Sequence, residues 1–600
     1  MTDQKNLLLF VGITMVILIA FEFLYVEPQR QQFEEQQALQ QVIDDANLEA
    51  QPPAAPQAPS TVDGGDAPAL PGTAAAPGGD GAISRDMALA QTSRVTIAAP
   101  RVGGSISLTG GRIDDLTLID YNETLEPDSP QINLLLPVGT ADAYYAEFGW
   151  VPQDATVAVP DGKTKWTADA AVLAVGAPVN LSWDNGNGLR YVHRFEIDAD
   201  YMFTVTQRVE NSGATSVTLY PYGLVSRSET PETLGFYILH EGPLGVFNGT
   251  LDEQDYDDLQ DKGTINVSST GGWIGITDKY WLVALVPDQA APFSARYVYN
   301  PRGGRDKYQV DYQREAMVVP PGGSIEVTDY LFAGAKEVRV LDSYQDALRI
   351  TNFDLAVDWG WFYFLTRPFF LILVYFTDLL GNFGLSILLF TVLIKLIFFP
   401  LANKSYKSMS KMKKLQPKMV EMKEKYGDDK QRLQQEMMAL YKAEKVNPMS
   451  GCLPIIIQIP VFFALYKVLF VSIEMRHTPF YGWIRDLSAP DPTTVFNLFG
   501  LIPWTPPDML LIGVWPLIMG VTMWLQQKLN PTPPDPTQAK IMMMLPIVFT
   551  FILARFPAGL VIYWCWNNTL SIAQQWVIMR KMGVKIGDSG SAAKPKDKSS

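Results

Sequence analysis

Lys395 stands in an almost unbroken apolar run, LLFTVLIKLIFFPL, from Leu388 to Leu401. A charged side chain at the centre of a bilayer costs roughly 2.5–3.5 kcal/mol on insertion scales, so the residue needs an escape or a use. Escape by reaching an interface is difficult: Lys404, the next lysine, is about 13 Å further along a helix at ~1.5 Å rise. Thr391 precedes Lys395 by one helical turn and shares its face. Tyr563, Asn567, Ser571 and Gln574 share a face in a second apolar run, and Thr522 and Gln526 do so in a third. Gln458 lies between Pro454 and Pro460 in a fourth. Such groups can receive a polar or acidic partner in apolar surroundings. Two readings stay open at this level. One is ordinary hydrogen bonding between helices, typically under ~2 kcal/mol each, with Lys395 as a structural lysine. The other is a wet cavity that Lys395 faces, which the polar faces on several runs favour.

Bond-making chemistry has no matching residues. The sequence holds no G-x-x-x-x-G-K-[ST] phosphate loop and no H-E-x-x-H pair. Its histidines, His193, His240 and His477, are far apart, without metal-ligand spacing. The two cysteines, Cys452 and Cys565, fall in apolar runs and give neither a disulfide framework nor a thiolate metal site. We therefore expect no enzyme activity, cofactor or metal, and no specific nucleic-acid site.

The elements that must position these groups follow from composition along the 600 residues, whose formal net charge is −15. Apolar windows approaching the ~20 residues of a membrane span occur at Leu7–Val26, Phe383–Leu401, Leu453–Val471, Leu511–Leu525, Ile541–Leu553 and Leu560–Ile578. No Ala-x-Ala cleavage site follows the first window, so residues 1–26 read as an uncleaved signal anchor. Residues 27–83, Gln-rich and then Pro/Ala/Gly-rich, read as a flexible linker. From 84 to 334, short alternating runs such as YMFTVTQRVENSG and WLVALVP predict an antiparallel β-sandwich, with LDEQDYDDLQDKG as a solvated loop. Residues 335–382 predict a connecting helix and then, over Trp359–Leu380, an amphipathic helix on the outer membrane face.

Charge decides that last assignment. Residues 403–447 carry twelve Lys/Arg against six Asp/Glu, the signature of a loop kept in the cytoplasm. A single span at 383–402 then leaves the acidic β domain outside. Four further spans over 448–579 bring the basic tail, 580–600, inside. Within the basic loop, Met412, Leu415, Met419, Met422 and Tyr426, followed by Leu433, Met437 and Leu440, predict a helical hairpin with a heptad-like seam. Lys411, Lys413, Lys414 and Lys418 lie on its outer faces. With Met419, Met422 and Tyr426 they are the candidate partner-docking residues, since methionine surfaces adapt to varied apolar partners; a solvated hairpin without a partner is the alternative.

Over the second span, hairpin and third span, IKLIFFPLANKSYKSMSKMKKLQPKMVEMKEKYGDDKQRLQQEMMALYKAEKVNPMSGCLPIIIQIPVFFALY resembles the YidC family of membrane protein insertases. DLSAPDP and FPAGLVIYWCWNNTLSIAQQ resemble its later part. The resemblance implies a five-helix core around a hydrophilic groove open to the cytoplasm and to lipid, an anchor helix, and an external β super-sandwich of the Gram-negative bacterial type. Lys395 falls where the family carries its groove charge, usually arginine. Thr391, Gln458, Asn567 and Ser571 fall on or near groove positions, with Thr522, Gln526 and Gln574 on the polar faces beside them. Tyr563 and Trp564 match an aromatic pair implicated in client contact. Arg555 stands where relatives often have an aromatic residue. The implied partners are nascent membrane proteins, the Sec translocon, the ribosome, signal-recognition targeting machinery and the lipid bilayer of the cell inner membrane. A solute transporter would predict repeated halves, which are absent from the sequence. A sugar receptor built on the sandwich, with aromatics near His193 or Glu241, is the other rival.

Overall fold

The computed structural model describes residues 83–582, except 234–238, 302–304, 427–428, 445–452, 500, 505, 508–510 and 531–535. The expected anchor, most of the linker and most of the tail lie outside the described residues.

Alternation of buried and exposed side chains builds the β domain. Strand Leu189–Ile197 shows it plainly: Tyr191, His193, Phe195 and Ile197 turn inward, while Arg190, Val192, Arg194 and Glu196 turn outward. Two sheets result, an 11-stranded and a 9-stranded one, almost entirely antiparallel. The long strands Met202–Asn211 and Ser324–Ala335 pair centrally in the smaller sheet, and Tyr144–Pro152 pairs with Val217–Ser228 in the larger. Their facing sides enclose a core rich in Trp150, Trp273, Phe195, Phe203 and Phe332. A short helix, α1 (Arg85–Ala90), opens the domain. The acidic stretch at 251–263, expected as a solvated loop, instead contains a strand end and helix α2 (Tyr256–Lys262). Tyr256 and Leu259, one turn apart, bury into the domain and hold the acidic residues on the outer face.

Helix α3 (Val338–Leu348) follows directly, and its N-cap Glu337 accepts bonds from Arg101, Tyr121 and Tyr201 of the sheets. Helix α4 (Tyr363–Leu380) is the one described helix that is both long and apolar enough to cross a membrane. Charge ties it to α3 at two places. Arg367 pairs with Asp342 at 2.8 Å and with Asp354 at 2.9 Å, and Asp378 pairs with Arg339.

Helix α5 (Phe383–Ile397) ends earlier than the predicted span of 383–402. The chain turns by 69° at Phe398 and continues as α6 (Phe399–Tyr426). Pro400 explains the break, because proline fits the first turn of a new helix but not the interior of an old one. The predicted hairpin of 403–447 is accordingly α6 paired with α7 (Lys430–Ala443). Its seam joins Met412, Leu415 and Met419 to Met437, Leu440 and Tyr441.

The remaining described helices are α8 (Leu453–Val471), α9 (Val514–Leu529), α10 (Pro536–Leu553) and α11 (Ala558–Lys581). They overlie the four later apolar windows. Helix α11 packs against α5, α6, α8 and α9, while α4 packs on α5 and α8. Gly520 lets α9 and α10 approach closely, because a Cβ there would meet the Thr550 hydroxyl.

The β domain rests on this bundle through polar contacts. Glu474, just after α8, accepts from the Val338 amide at 3.1 Å. Arg476 donates to the carbonyls of Asn122 and Glu123. Lys467 of α8 pairs with Asp358 at 2.6 Å, and the Lys279 ammonium lies 4.1 Å from the Phe470 ring centroid.

Candidate functional site

Helix α11 is the spine of the site. It carries amides and hydroxyls on more than one face, because neighbouring helices meet it from several sides. Lys395 of α5 donates to Ser571 Oγ at 2.6 Å. Ser571 Oγ in turn donates to the Asn567 carbonyl at 2.8 Å. Asn567 Oδ1 accepts from Gln458 Nε2 of α8, also at 2.8 Å. A continuous polar chain thus links α5, α11 and α8. On another face, Asn568 Nδ2 donates to Thr522 Oγ1 of α9 at 3.3 Å, and Gln575 Nε2 to Asn530 Oδ1 at 3.1 Å.

Beside this chain lies a cavity of about 330 Å³. Gln458, Gln526, Tyr563, Trp564 and Asn567, which the sequence named as groove candidates, are among its lining residues. Gln527, Asn530 and Asn568 were not anticipated from the sequence and add three more amides. Phe462, Met523, Met542 and Leu545 supply apolar wall. The lining thus carries several amides and no charged side chain on a largely apolar wall, and the ammonium is two hydrogen bonds away from it, through Ser571 to the Asn567 carbonyl. Amides can donate and accept at once, so such a surface can hydrate or bind backbone and polar side chains without selecting a sequence.

Other candidates fall elsewhere. Thr391 is buried, and its hydroxyl is spent on the Ile387 carbonyl of its own helix at 2.6 Å. Thr522 bonds back to Met519 while accepting from Asn568. Gln574 is not among the cavity-lining residues, and its Nε2 is buried without a hydrogen-bond partner. The neighbouring Gln575, missed by the phase argument, makes the interhelical bond instead. Arg555 is exposed in the turn between α10 and α11.

The hairpin differs from expectation in a specific way. Met419 is buried in the seam against Tyr441, so it offers no docking surface. Lys413 and Lys414 donate to the carbonyls of Lys528 and Met582, at the C-terminal ends of α9 and α11. Those carbonyls have no partner within their own helices, and a cation there also complements the helix dipole. Lys418 pairs with Glu444 across the hairpin at 2.9 Å. Lys411 is exposed, Met422 is half-buried, and the Tyr426 ring lies under Lys425 and Arg432.

The rival reading, a sugar receptor on the β domain, finds little support at His193. That ring is fully buried against Trp166, and neither nitrogen has a hydrogen-bond partner. Burial pushes its pKa down to about 3, so it is a neutral core residue. Glu241 accepts from the Lys279 amide at 3.1 Å, at the junction with the helices.

A β domain is followed by a helical bundle with polar groups in its interior, and the families that these two parts match imply an inner-membrane protein with a periplasmic domain. Two family models match these parts: the YidC periplasmic domain over residues 94–372, and the 60Kd inner membrane protein over 375–585. The chain is 50% identical to the membrane protein insertase YidC of Methylobacterium sp. (strain 4-46), covering 97% of this chain and 96% of that one. It is 51% identical to the protein of the same name from Bradyrhizobium diazoefficiens, covering 98% and 97%. A crystal structure of an active YidC insertase with its first transmembrane domain resolved is 18% identical, with a TM-score of 0.34, over 80% of this chain and 92% of that one. The chain belongs to the YidC family of membrane protein insertases. Insertion of membrane proteins is its function, a task of transfer between phases rather than of bond chemistry.

Proposed function

We propose that the cavity beside Lys395 takes in a hydrophilic segment of a nascent membrane protein from the cytoplasm, while the client's apolar helix leaves sideways into lipid. The observation that supports this reading is the chain Lys395–Ser571–Asn567–Gln458, which runs from one ammonium to two amides that line the cavity. A charge pair at 4 Å gains about 4 kcal/mol at an effective dielectric of ~20, before desolvation. That helps offset drawing an acidic or polar segment partway across. Partition of the client helix into lipid supplies the rest of the driving force, and no nucleotide is required.

The topology that suits this mechanism places both termini and the α6–α7 hairpin in the cytoplasm, with α5, α8, α9, α10 and α11 crossing the membrane. Helix α4 lies on the outer face. Its two ion-pair sites support that placement. Arg367 and Asp378 are eleven positions apart, about 16 Å along a helix, yet both pair with α3 at the base of the β domain. A helix running through the bilayer would carry one of them away from α3. We further propose that the hairpin's exposed surface, including Lys411, meets the ribosome and targeting machinery or the Sec translocon.

Purified protein in vesicles, given a short client with an acidic translocated segment, tests the mechanism: insertion should proceed without nucleotide. Failure of such vesicles to insert the client, with the protein folded, would overturn it. Cysteines placed at Thr250 and Lys425 test the topology, which requires labelling from opposite sides.

A further inference from the structure

Between α8 and α9 the chain makes an excursion, Val495–Trp504, with the sequence VFNLFGLIPW. Its two ends are pinched together. Asp491, 6% exposed, accepts from Trp483 Nε1, the Thr493 amide and hydroxyl, and the Trp515 amide at the start of α9. Thr493 Oγ1 accepts from the Val514 amide, and the Val495 amide reaches the Ile512 carbonyl. Gly513 is needed here, because a Cβ would collide with the Asp491 side chain. The result has the closed neck of an Ω-loop.

Within the loop, several backbone amides of the described residues bond to loop carbonyls, while large side chains are exposed. The Leu498, Phe499 and Ile502 amides donate to the Val495, Thr494 and Asn497 carbonyls at 3.0–3.2 Å. Leu498 and Phe499 hold φ of 48° and 60°, a region that bulky residues rarely adopt. Yet Leu498, Phe499 and Leu501 are 52%, 55% and 82% exposed, and Trp504 is 47% exposed. An ordered loop that spends backbone strain to display large apolar groups marks an interaction surface.

We infer that this loop is an anchor that dips into the outer leaflet, with Leu498, Phe499 and Leu501 among acyl chains and Trp504 at headgroup level. Lipid is the occupant that the surroundings favour. Further apolar residues are exposed after the loop: Leu511 just before α9, and Leu517, Ile518 and Val521 on it. Between Asp491 and Lys528 the only charged residue is Asp508, so neutral lipid suffices. Internal backbone bonding is the condition for placing non-helical chain against hydrocarbon, and tryptophan is the side chain suited to the boundary. The inference rests on the membrane-crossing reading of α9 given above.

The test uses the full chain with Cys452→Ser and Cys565→Ser and one added cysteine, Leu501→Cys or Val521→Cys, carrying nitrobenzoxadiazole. Each is reconstituted in phosphatidylcholine vesicles containing lipids spin-labelled near the glycerol end or at mid-chain. The Leu501 probe should be blue-shifted and lose most of its emission to the shallow label, less to the deep one, and little to aqueous iodide. Adding phosphatidylglycerol should change none of this. Quenching by iodide alone, or dependence on anionic lipid, overturns the anchor. Energy transfer between labelled copies without lipid quenching shows a protein contact instead and also overturns it. If Val521 is quenched by lipid and Leu501 is not, the loop inference alone falls. If Val521 is not quenched, the crossing of α9 falls.

Discussion

Lys395 Nζ donates to Ser571 Oγ at 2.6 Å, joining α5 to α11 although neither helix carries an acidic residue. The ammonium is thus held by a neutral hydroxyl. It remains able to attract an incoming carboxylate, because no internal carboxylate of these two helices neutralises it. Lys395→Arg should preserve insertion. Lys395→Ala should lower the yield of clients with acidic segments about tenfold, a change of ~1.4 kcal/mol, and affect neutral clients less. Lys395→Glu should be worse, since like charges repel where screening is poor. Insertion yield per folded protein, across client segments of graded charge, measures this. Equal losses for all clients would return Lys395 to a structural role.

Gly520 and Thr550 set the approach of α9 to α10, which form one wall of the cavity. A Cβ at position 520 would collide with Thr550 Oγ1. Overpacking of this kind costs about 1–3 kcal/mol. Gly520→Ala should therefore lower the thermal unfolding midpoint, and adding Thr550→Ala should restore much of it. Thermal unfolding in detergent reads both variants, and an absence of rescue would mean that the helices separate rather than clash.

Lys413 and Lys414 fasten α6 to the ends of α9 and α11. Removing both, as Lys413→Ala with Lys414→Ala, takes away two charge-assisted bonds to carbonyl oxygens. Exposed, solvated pairs of this type contribute about 1 kcal/mol or less each. Hydrogen exchange should quicken in α6 and α7 by up to about thirtyfold while protection in the β domain stays unchanged. Unaltered exchange in the hairpin would show that the seam of Leu415, Met419 and Tyr441 fixes it alone.

Glu474 gives the junction a pH dependence. Burial pushes its carboxyl up from 4.5 to about 7, with bonds from the Val338 amide and the charge on Arg339 opposing the rise and Glu337 adding to it. The folded state then binds the proton more tightly than the unfolded one. Its contribution is full below pH 4.5 and is lost as pH rises to about 7, by ~3 kcal/mol at most. Glu474→Gln, which cannot ionise, should flatten that part of the stability profile and leave the protein more stable than the parent above pH 7. Thermal unfolding from pH 5 to 8 distinguishes the two.

The sequence by itself determined what depends on neighbours along the chain. Alternation placed the strands, as in Leu189–Ile197. Apolar windows placed the helices, with Leu453–Val471 matching α8 end to end. The 3–4 spacing of methionine and leucine placed the hairpin seam. Pro400 even held the signal for the break at Phe398, although the apolar run concealed it. The acidic stretch at 251–263 was misread because its two inward apolar residues, Tyr256 and Leu259, are outnumbered by carboxylates. Tertiary structure alone decided which polar groups meet. Helical phase assigns residues to one face, but α11 is contacted from several directions, so Asn567 and Asn568, adjacent in sequence, serve different neighbours. The same applies to Lys413 and Lys414, whose acceptors lie more than a hundred residues away. A lysine's sequence surroundings reveal its charge and its helix, but the partner it finds depends on how helices distant in sequence pack together.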